Sequence, residues 1–329
     1  MTANPLPPVL DWRVAVCLAT YNGARYLAPQ LDSLQSQTRL PDRIFIADDG
    51  STDATAAIVA DYAEREPGRI VVLSASARLG PAANFSRCLA AAAESSDCDI
   101  FFCCDQDDLW APQKIAVCLH ELARLAALHG EDTPLLVHHD LDLIDGEGLP
   151  LGKTFWRTAG IDPQRCGFSD LLVRNAVTGC AMAFNRALLM RALPIPSAAL
   201  MHDGWLALTA AAVGGPICPI PQALVAYRQH GANAIGAPTA GIWARSLARL
   251  LKRKREMRWI AVAASQARAV ADRFGPELDA RKLKAVSAVA RWDKVSRYRR
   301  LLDALAVGLV GHSWARTVFL YLRLMLVTP

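Results

Sequence analysis

The chain has 329 residues, 53% of them apolar, enough to bury a substantial core as one large domain or as a domain with an appended part. Its nine cysteines include no Cys-x-x-Cys spacing, which excludes the usual zinc and dithiol sites and fits small core residues of a reducing compartment. The formal charge of +5 hides a division, because residues 1–240 hold 17 Lys and Arg against 25 Asp and Glu while 241–329 hold 19 against 6; the two parts face different partners.

Met1 to Pro8 has no basic segment followed by an apolar core, so it does not read as a secretory leader and a cytoplasmic protein is expected. Residues 1–12 are expected to be extended or disordered. From Val14 to Ala19 the chain is apolar without alternation, the pattern of a central parallel strand, and it stops at Thr20-Tyr21-Asn22-Gly23. Leu27, Leu31 and Leu34 then recur at helical spacing between Ala24 and Gln37. A second strand, Arg43 to Ala47, runs into Asp48-Asp49-Gly50-Ser51-Thr52-Asp53, and Ala54 to Glu66 is helical again. A third strand at Arg69 to Leu73, a helix from Ala82 to Glu94 and a fourth strand at Cys98 to Cys104 complete an alternation. It predicts an α/β fold with a mostly parallel sheet and right-handed crossovers. No Gly-x-Gly-x-x-Gly follows the first strand, so a dinucleotide cofactor is not expected.

The fourth strand ends at Asp105-Gln106-Asp107-Asp108-Leu109-Trp110, with Pro112 opening a helix. Three acids at a strand's carboxyl end sit where open α/β sheets bind ligands. They repel one another unless water screens them or a divalent cation lies among them, although a solvated helix cap would look the same. The hexamer from Asp48 fails as a calcium loop, since Val59 and Ala60 occupy the twelfth position where a Glu belongs. Ser51 to Asp53 suit a helix cap. Asp48 and Asp49, at the strand end, can accept from a pyrimidine ring N–H or from ribose hydroxyls.

Taken together, Val14 to Gly23, Ile46 to Asp53 and Asp105 to Trp110 resemble, in that order, the motifs of family 2 glycosyltransferases with a GT-A fold. Pro112 and Lys114 after the acidic motif make it similar to the bacterial branch containing rhamnosyltransferases of surface polysaccharides. The resemblance covers residues 13–236. It implies a GT-A, Rossmann-like, mostly parallel sheet flanked by helices over residues 13–240, followed by a basic helical extension over 241–329. It also implies an inverting transfer of a sugar, for which that branch suggests rhamnose from a dTDP donor, onto a hydroxyl of a lipid-linked or surface glycan.

On that resemblance the nucleotide lies across Thr20, Tyr21, Asn22, Asp48 and Asp49 with Asn84 nearby, and Arg228 meets the diphosphate. A divalent ion, Mg²⁺ or Mn²⁺, is held by Asp107 with His230 and Asp105. Asp203, in Met201-His202-Asp203-Gly204-Trp205, aligns with the general base, although His202 replaces the acid that often precedes it and can instead orient the acceptor. On spacing alone Asp203 reads as a helix cap and His230 as a hydrogen-bonded surface histidine. Asp108, Trp110, Gly179, His202 and Trp205 are expected on the acceptor or sugar side. His138 and His139 point to opposite faces of a strand and do not share an ion.

From Ile242 to Trp259 the chain is helical in pattern and strongly basic, with Trp and Leu between the charges. This suits either an anionic membrane surface or a helix packed on the domain with a solvated basic face. The end, Leu301 to Val327, is apolar but broken by Asp303, His312, Arg316 and Arg323, so it reads as a membrane-surface or partner-binding hairpin, not a span. Charge alone would also allow nucleic acid, but no reader motif accompanies it, and nucleic acid is not expected. A sugar nucleotidyltransferase would carry a glycine-rich phosphate loop after the first strand, which is missing. A non-catalytic scaffold of glycan assembly stays open on the residues.

Overall fold

The computed structural model describes residues 11–73, 77–95, 97–230, 253–310 and 314–326. The first four strands and three helices alternate as the periodicity predicts: β1 (Val14–Thr20), α1 (Leu27–Gln35), β2 (Arg43–Asp48), α2 (Thr55–Arg65), β3 (Ile70–Leu73), α3 (Pro81–Glu94) and β4 (Ile100–Asp105). A two-residue β5 (Leu109–Trp110) and α4 (Lys114–His129) follow. The helix after β1 starts three residues later than its apolar spacing suggests, because the amides of Tyr26 and Leu27 both turn back to the Gly23 carbonyl.

The second half is built from β6 (Leu136–Ile144), β7 (Pro150–Thr154), α5 (Phe155–Ala159), α6 (Phe168–Leu171), β8 (Met182–Asn185), α7 (Arg186–Ala192), α8 (His202–Ala212) and β9 (Ile217–Arg228). One sheet runs β3-β2-β1-β4-β8-β6-β9-β5, with β7 on β6. The pairs β3-β2, β2-β1, β1-β4 and β6-β9 are parallel and the rest antiparallel. The expected strand from Val177 begins only at Met182, since Gly179–Ala181 forms a 3₁₀ turn in which the Ala181 amide donates to Thr178 O.

Alternation along the buried strands divides the core between two faces. Val16, Leu18 and Phe102 meet α1 and α4 on one side, while Cys17, Phe45 and Phe101 meet α3, α7 and α8 on the other. Four further helices, α9 (Arg253–Phe274), α10 (Ala280–Val289), α11 (Arg297–Ala306) and α12 (Trp314–Leu326), add to this second layer. Ile260, Val270, Val286, Trp292, Leu309 and Leu324 join the same apolar cluster as Phe101 and Trp205. Trp259 donates to Val173 O, Arg273 to Ala192 O and Lys282 to Ala212 O, so the described part of the basic region packs on the sheet domain. Residues 242–252, which hold much of the expected basic helix, and residues 1–10, expected to be extended or disordered, lie outside the described residues.

Two tryptophans expected beside the acceptor belong to the core. Trp205 is wholly buried and its indole N–H donates to Ala192 O at 2.9 Å; its position on α8 faces the sheet, because the helix is apolar nearly all round. Trp110 is buried against Phe102, with the Lys114 ammonium 3.2 Å from its ring centroid. Trp205→Ala is expected to lower the unfolding free energy by about 3–5 kcal/mol in a urea titration.

Candidate active site

A cavity of about 260 Å³ opens at the carboxyl ends of β1, β2 and β4. Thr20, Tyr21, Asp49, Asn84, Asp105, Asp107, Gly179, His202 and Asp203 all line it. Parallel strands explain the convergence, because every crossover loop leaves the same edge of the sheet.

The loops after β1, β2 and β4 are tied to one another. The Tyr21 amide donates to Gln106 Oε1 at 2.8 Å while Gln106 Nε2 donates to Tyr21 O at 3.1 Å. Gly23 permits that approach, since a Cβ there would stand 2.2 Å from Gln106 Oε1. Asp48 accepts from the Thr20 hydroxyl at 2.7 Å and from the Ser51 amide. Asn22, at φ +48°, takes the Thr52 amide on its side-chain oxygen and gives its own amide to Ser51 Oγ. Asp48 and Asn22 thus join the two loops and do not line the cavity. Asp49 does line it, fixed by the amides of Leu79 and Gly80, both at 2.7 Å. Asn84 holds Ala47 O at 2.7 Å from the start of α3.

Across the cavity stands Asp203 in the first turn of α8. Its oxygens accept from the Gly179 amide at 3.0 Å and the Gly204 amide at 2.6 Å, and burial pushes its carboxyl up to about 6. Asp105 is pushed further, to about 7, by burial first and then by the neighbouring Asp107 and Asp203. His202 stacks on Phe85 at 3.9 Å, burial lowers it to about 3, and neither ring nitrogen has a partner among the described residues. It is a neutral imidazole at the cavity wall.

The acidic loop fixes the remaining groups. Asp107 Oδ2 lies 2.7 Å from His230 Nε2, and that ring stacks on Tyr26. A carboxylate oxygen beside an imidazole nitrogen, with Asp105 two residues away, is a donor set that fits Mg²⁺ or Mn²⁺. Asp105, Asp108 and Cys180 also bring ligand atoms within 4.8 Å of one another, an aspartate-rich candidate metal site. There the Cys180 thiol is held protonated by burial and by Asp108 and Asp105, which disfavours it as a ligand.

Several expected site residues point elsewhere. Asp108 is buried, accepting the Arg228 amide on one oxygen while the other has no hydrogen bond among the described residues. Arg228 spends its guanidinium on Asp107 O and Gly146 O and lies over the Tyr26 ring, away from the cavity wall, because β9 runs inward between β6 and β5. It braces the acidic loop. His138 and His139 are buried in β6 and outside the cavity lining. Conversely, Arg78 lines the cavity with its guanidinium 3.9 Å from the Tyr21 ring centroid. Phe85, Thr178 and Met201 are also in the wall; nothing in their local pattern separates them from core or loop residues.

Residues 15–128 match the family model described as Glycosyl transferase family 2. An uncharacterised protein of Mycobacterium tuberculosis is 30% identical over 223 residues, covering 66% of this chain and 59% of that protein. An uncharacterised glycosyltransferase of a Nostoc species is 28% identical over 228 residues, 67% of this chain and 66% of the relative. The chain thus spans about three fifths of the length of the mycobacterial relative. S. aureus TarS 1-349 in complex with UDP-GlcNAc superposes with a TM-score of 0.52 at 16% identity, covering 95% of this chain and 90% of that one. The mannosyltransferase PcManGT from Pyrobaculum calidifontis, in complex with GDP-Man and Mn²⁺, gives 0.50 at 20% identity over 97% and 86%. The fold is GT-A.

In this GT-A fold the carboxylate cluster is electrostatically costly to the ligand-free protein. Asp105 binds a proton more tightly folded than unfolded, so stability is lost as pH rises from about 4 to about 7. Asp105→Asn is expected to match the parent at pH 4 and to exceed it by about 4 kcal/mol at pH 8 in metal-free urea unfolding.

Proposed function

We propose that the chain is an inverting, metal-dependent glycosyltransferase that moves a sugar from a nucleoside diphosphate donor to a hydroxyl of a lipid-linked or surface glycan. The observation that carries this reading is the placement of Asp105 and Asp107 at the end of β4 opposite Asp203 at the start of α8, across one cavity. The family match and the sugar-nucleotide complexes named for TarS and PcManGT support it.

Thr20, Tyr21, Asp49 and Asn84 line the end assigned to the nucleotide. Asp107, His230 and Asp105 would hold the divalent ion, whose charge offsets that developing on the departing diphosphate. Asp203 takes the proton of the acceptor hydroxyl while its oxygen attacks the anomeric carbon from the face opposite the leaving group, so the carbon inverts as the bond to the diphosphate breaks. The two amides on Asp203 keep it aimed, and burial raises its basicity. His202 offers a neutral imidazole to a sugar hydroxyl. A dTDP-rhamnose donor is supported by the dTDP-rhamnosyl transferase of Shigella flexneri, 36% identical over 99 residues but covering 30% of this chain and 34% of that one. Pro81, Phe85 and Met201 give one wall the apolar surface that a deoxysugar methyl favours.

Asp203→Asn should lower turnover by about 10²–10⁴-fold with donor binding unchanged. Retained turnover would remove Asp203 as the base. In the parent enzyme, kcat should fall about tenfold per pH unit below roughly pH 6, where the carboxylate becomes protonated. UDP, dTDP and GDP, each with and without Mn²⁺, should separate in a melting-temperature shift. A Mn²⁺-dependent shift largest for dTDP is expected, and it should vanish in Asp107→Ala; equal or absent shifts would contradict the donor assignment.

A further inference from the structure

The last two described helices are apolar on the side turned away from the core. Seventeen large hydrophobic side chains are exposed on the described residues, and eight of them lie between Tyr298 and Leu326. On α12, Trp314, Val318, Leu322 and Leu326 repeat every fourth residue as one outward stripe, while Leu320 and Leu324 are buried on the inner side. Trp314 is 77% exposed. On α11, Tyr298, Leu302 and Leu305 face out while Asp303 and Ala304 face in. The helices pack on one another, and Tyr321 ties α12 to Leu309 O at 2.7 Å. A run of exposed aromatic and aliphatic groups of this extent marks an interaction surface.

Charge identifies the partner. Residues 297–329 contain one acid, Asp303, and five arginines, of which Arg300 is buried, Arg316 reaches Ala159 O and Arg323 lies over the Trp259 ring, so the segment carries a net positive charge. That acid is buried and already paired with Arg291 at 2.6 Å and Arg299 at 3.0 Å. A second copy of the chain would bring the same positive charge against this surface. An anionic bilayer offers what both features need, headgroup phosphates for arginine and acyl chains for tryptophan and leucine. No helix among the described residues is long and apolar enough to cross a membrane. The 13 described residues of α12 reach only about 20 Å, short of the roughly 30 Å hydrocarbon core of a bilayer.

We propose that α11 and α12 dock the protein in the plane of an anionic lipid bilayer, with Trp314 and Leu322 entering the acyl boundary. None of the residues of this surface lines the cavity, and its assignment does not rest on the sugar-transfer reading. The test is co-sedimentation of the full chain with vesicles of phosphatidylglycerol and phosphatidylethanolamine, against vesicles of phosphatidylcholine alone. The parent should pellet with the anionic vesicles, less so as salt rises, and little with the neutral ones. The double variant Trp314→Ser/Leu322→Ser should partition about tenfold or more weakly. Leu302→Ser/Leu305→Ser on α11 is the second variant, and a cooperative melt of each qualifies it as folded. Failure of the parent to pellet, or pelleting equal in the folded variants, overturns the proposal. So does a lipid-free dimer that the same substitutions convert to monomer, which would make the surface a self-interface.

Discussion

Like charges gathered at the end of β4 are the constraint on which the rest of this structure turns. Asp105, Asp107 and Asp108 stand within four residues, and Asp105 and Asp108 are driven toward the protonated form by burial first and then by neighbouring carboxylates. The surrounding chain supplies a partial answer. Lys114 is fully buried on α4, donating to Cys180 O at 2.7 Å, and burial lowers it to about 8. The Arg228 backbone amide reaches Asp108 from β9, and the Arg228 side chain caps the carbonyl of Asp107. The cluster is contained but not neutralised, and the remaining imbalance is of the sign that a bound cation would relieve.

Sheet topology explains how residues far apart in sequence share one cavity. Asp203 comes from α8, on the layer that holds α3 and α7, while Asp107 comes from the loop after β4 and His230 follows β9. The strand β9 runs parallel to β6 and antiparallel to β5, which returns the chain to the acidic loop and sets His230 against Asp107. The C-terminal helices complete the layer behind α8 through Ile260, Val270 and Trp292. They therefore contribute to the placement of the cavity wall without lining it.

How much of this was legible in sequence depended on whether a residue's neighbours lay nearby in the chain. The four strands and three helices up to β4 follow from apolar runs and helical spacing, and the acids at the strand ends stood out because such groups have few structural reasons to sit there. Trp110, Trp205 and Arg228 misled, since a motif gives a residue's order but not the side of the strand or helix it occupies. Trp205 lies two positions from Asp203, and that rotation of about 200° around α8 carries it into the core. Arg78 and Phe85 gave no signal, because their contacts with Tyr21 and His202 join segments many residues apart.

The paired hydrogen bonds between Tyr21 and Gln106 have a mechanical consequence. Gln106 lies between Asp105 and Asp107, and Tyr21 between Thr20 and Asn22, so the clasp couples the loop after β1 to the loop bearing the acids. With Gly23 leaving no slack beside the amide, neither loop can shift without dragging the other. A displacement of the loop after β1 is thereby passed to the carboxylates that flank Gln106, giving the two sides of the cavity a shared register.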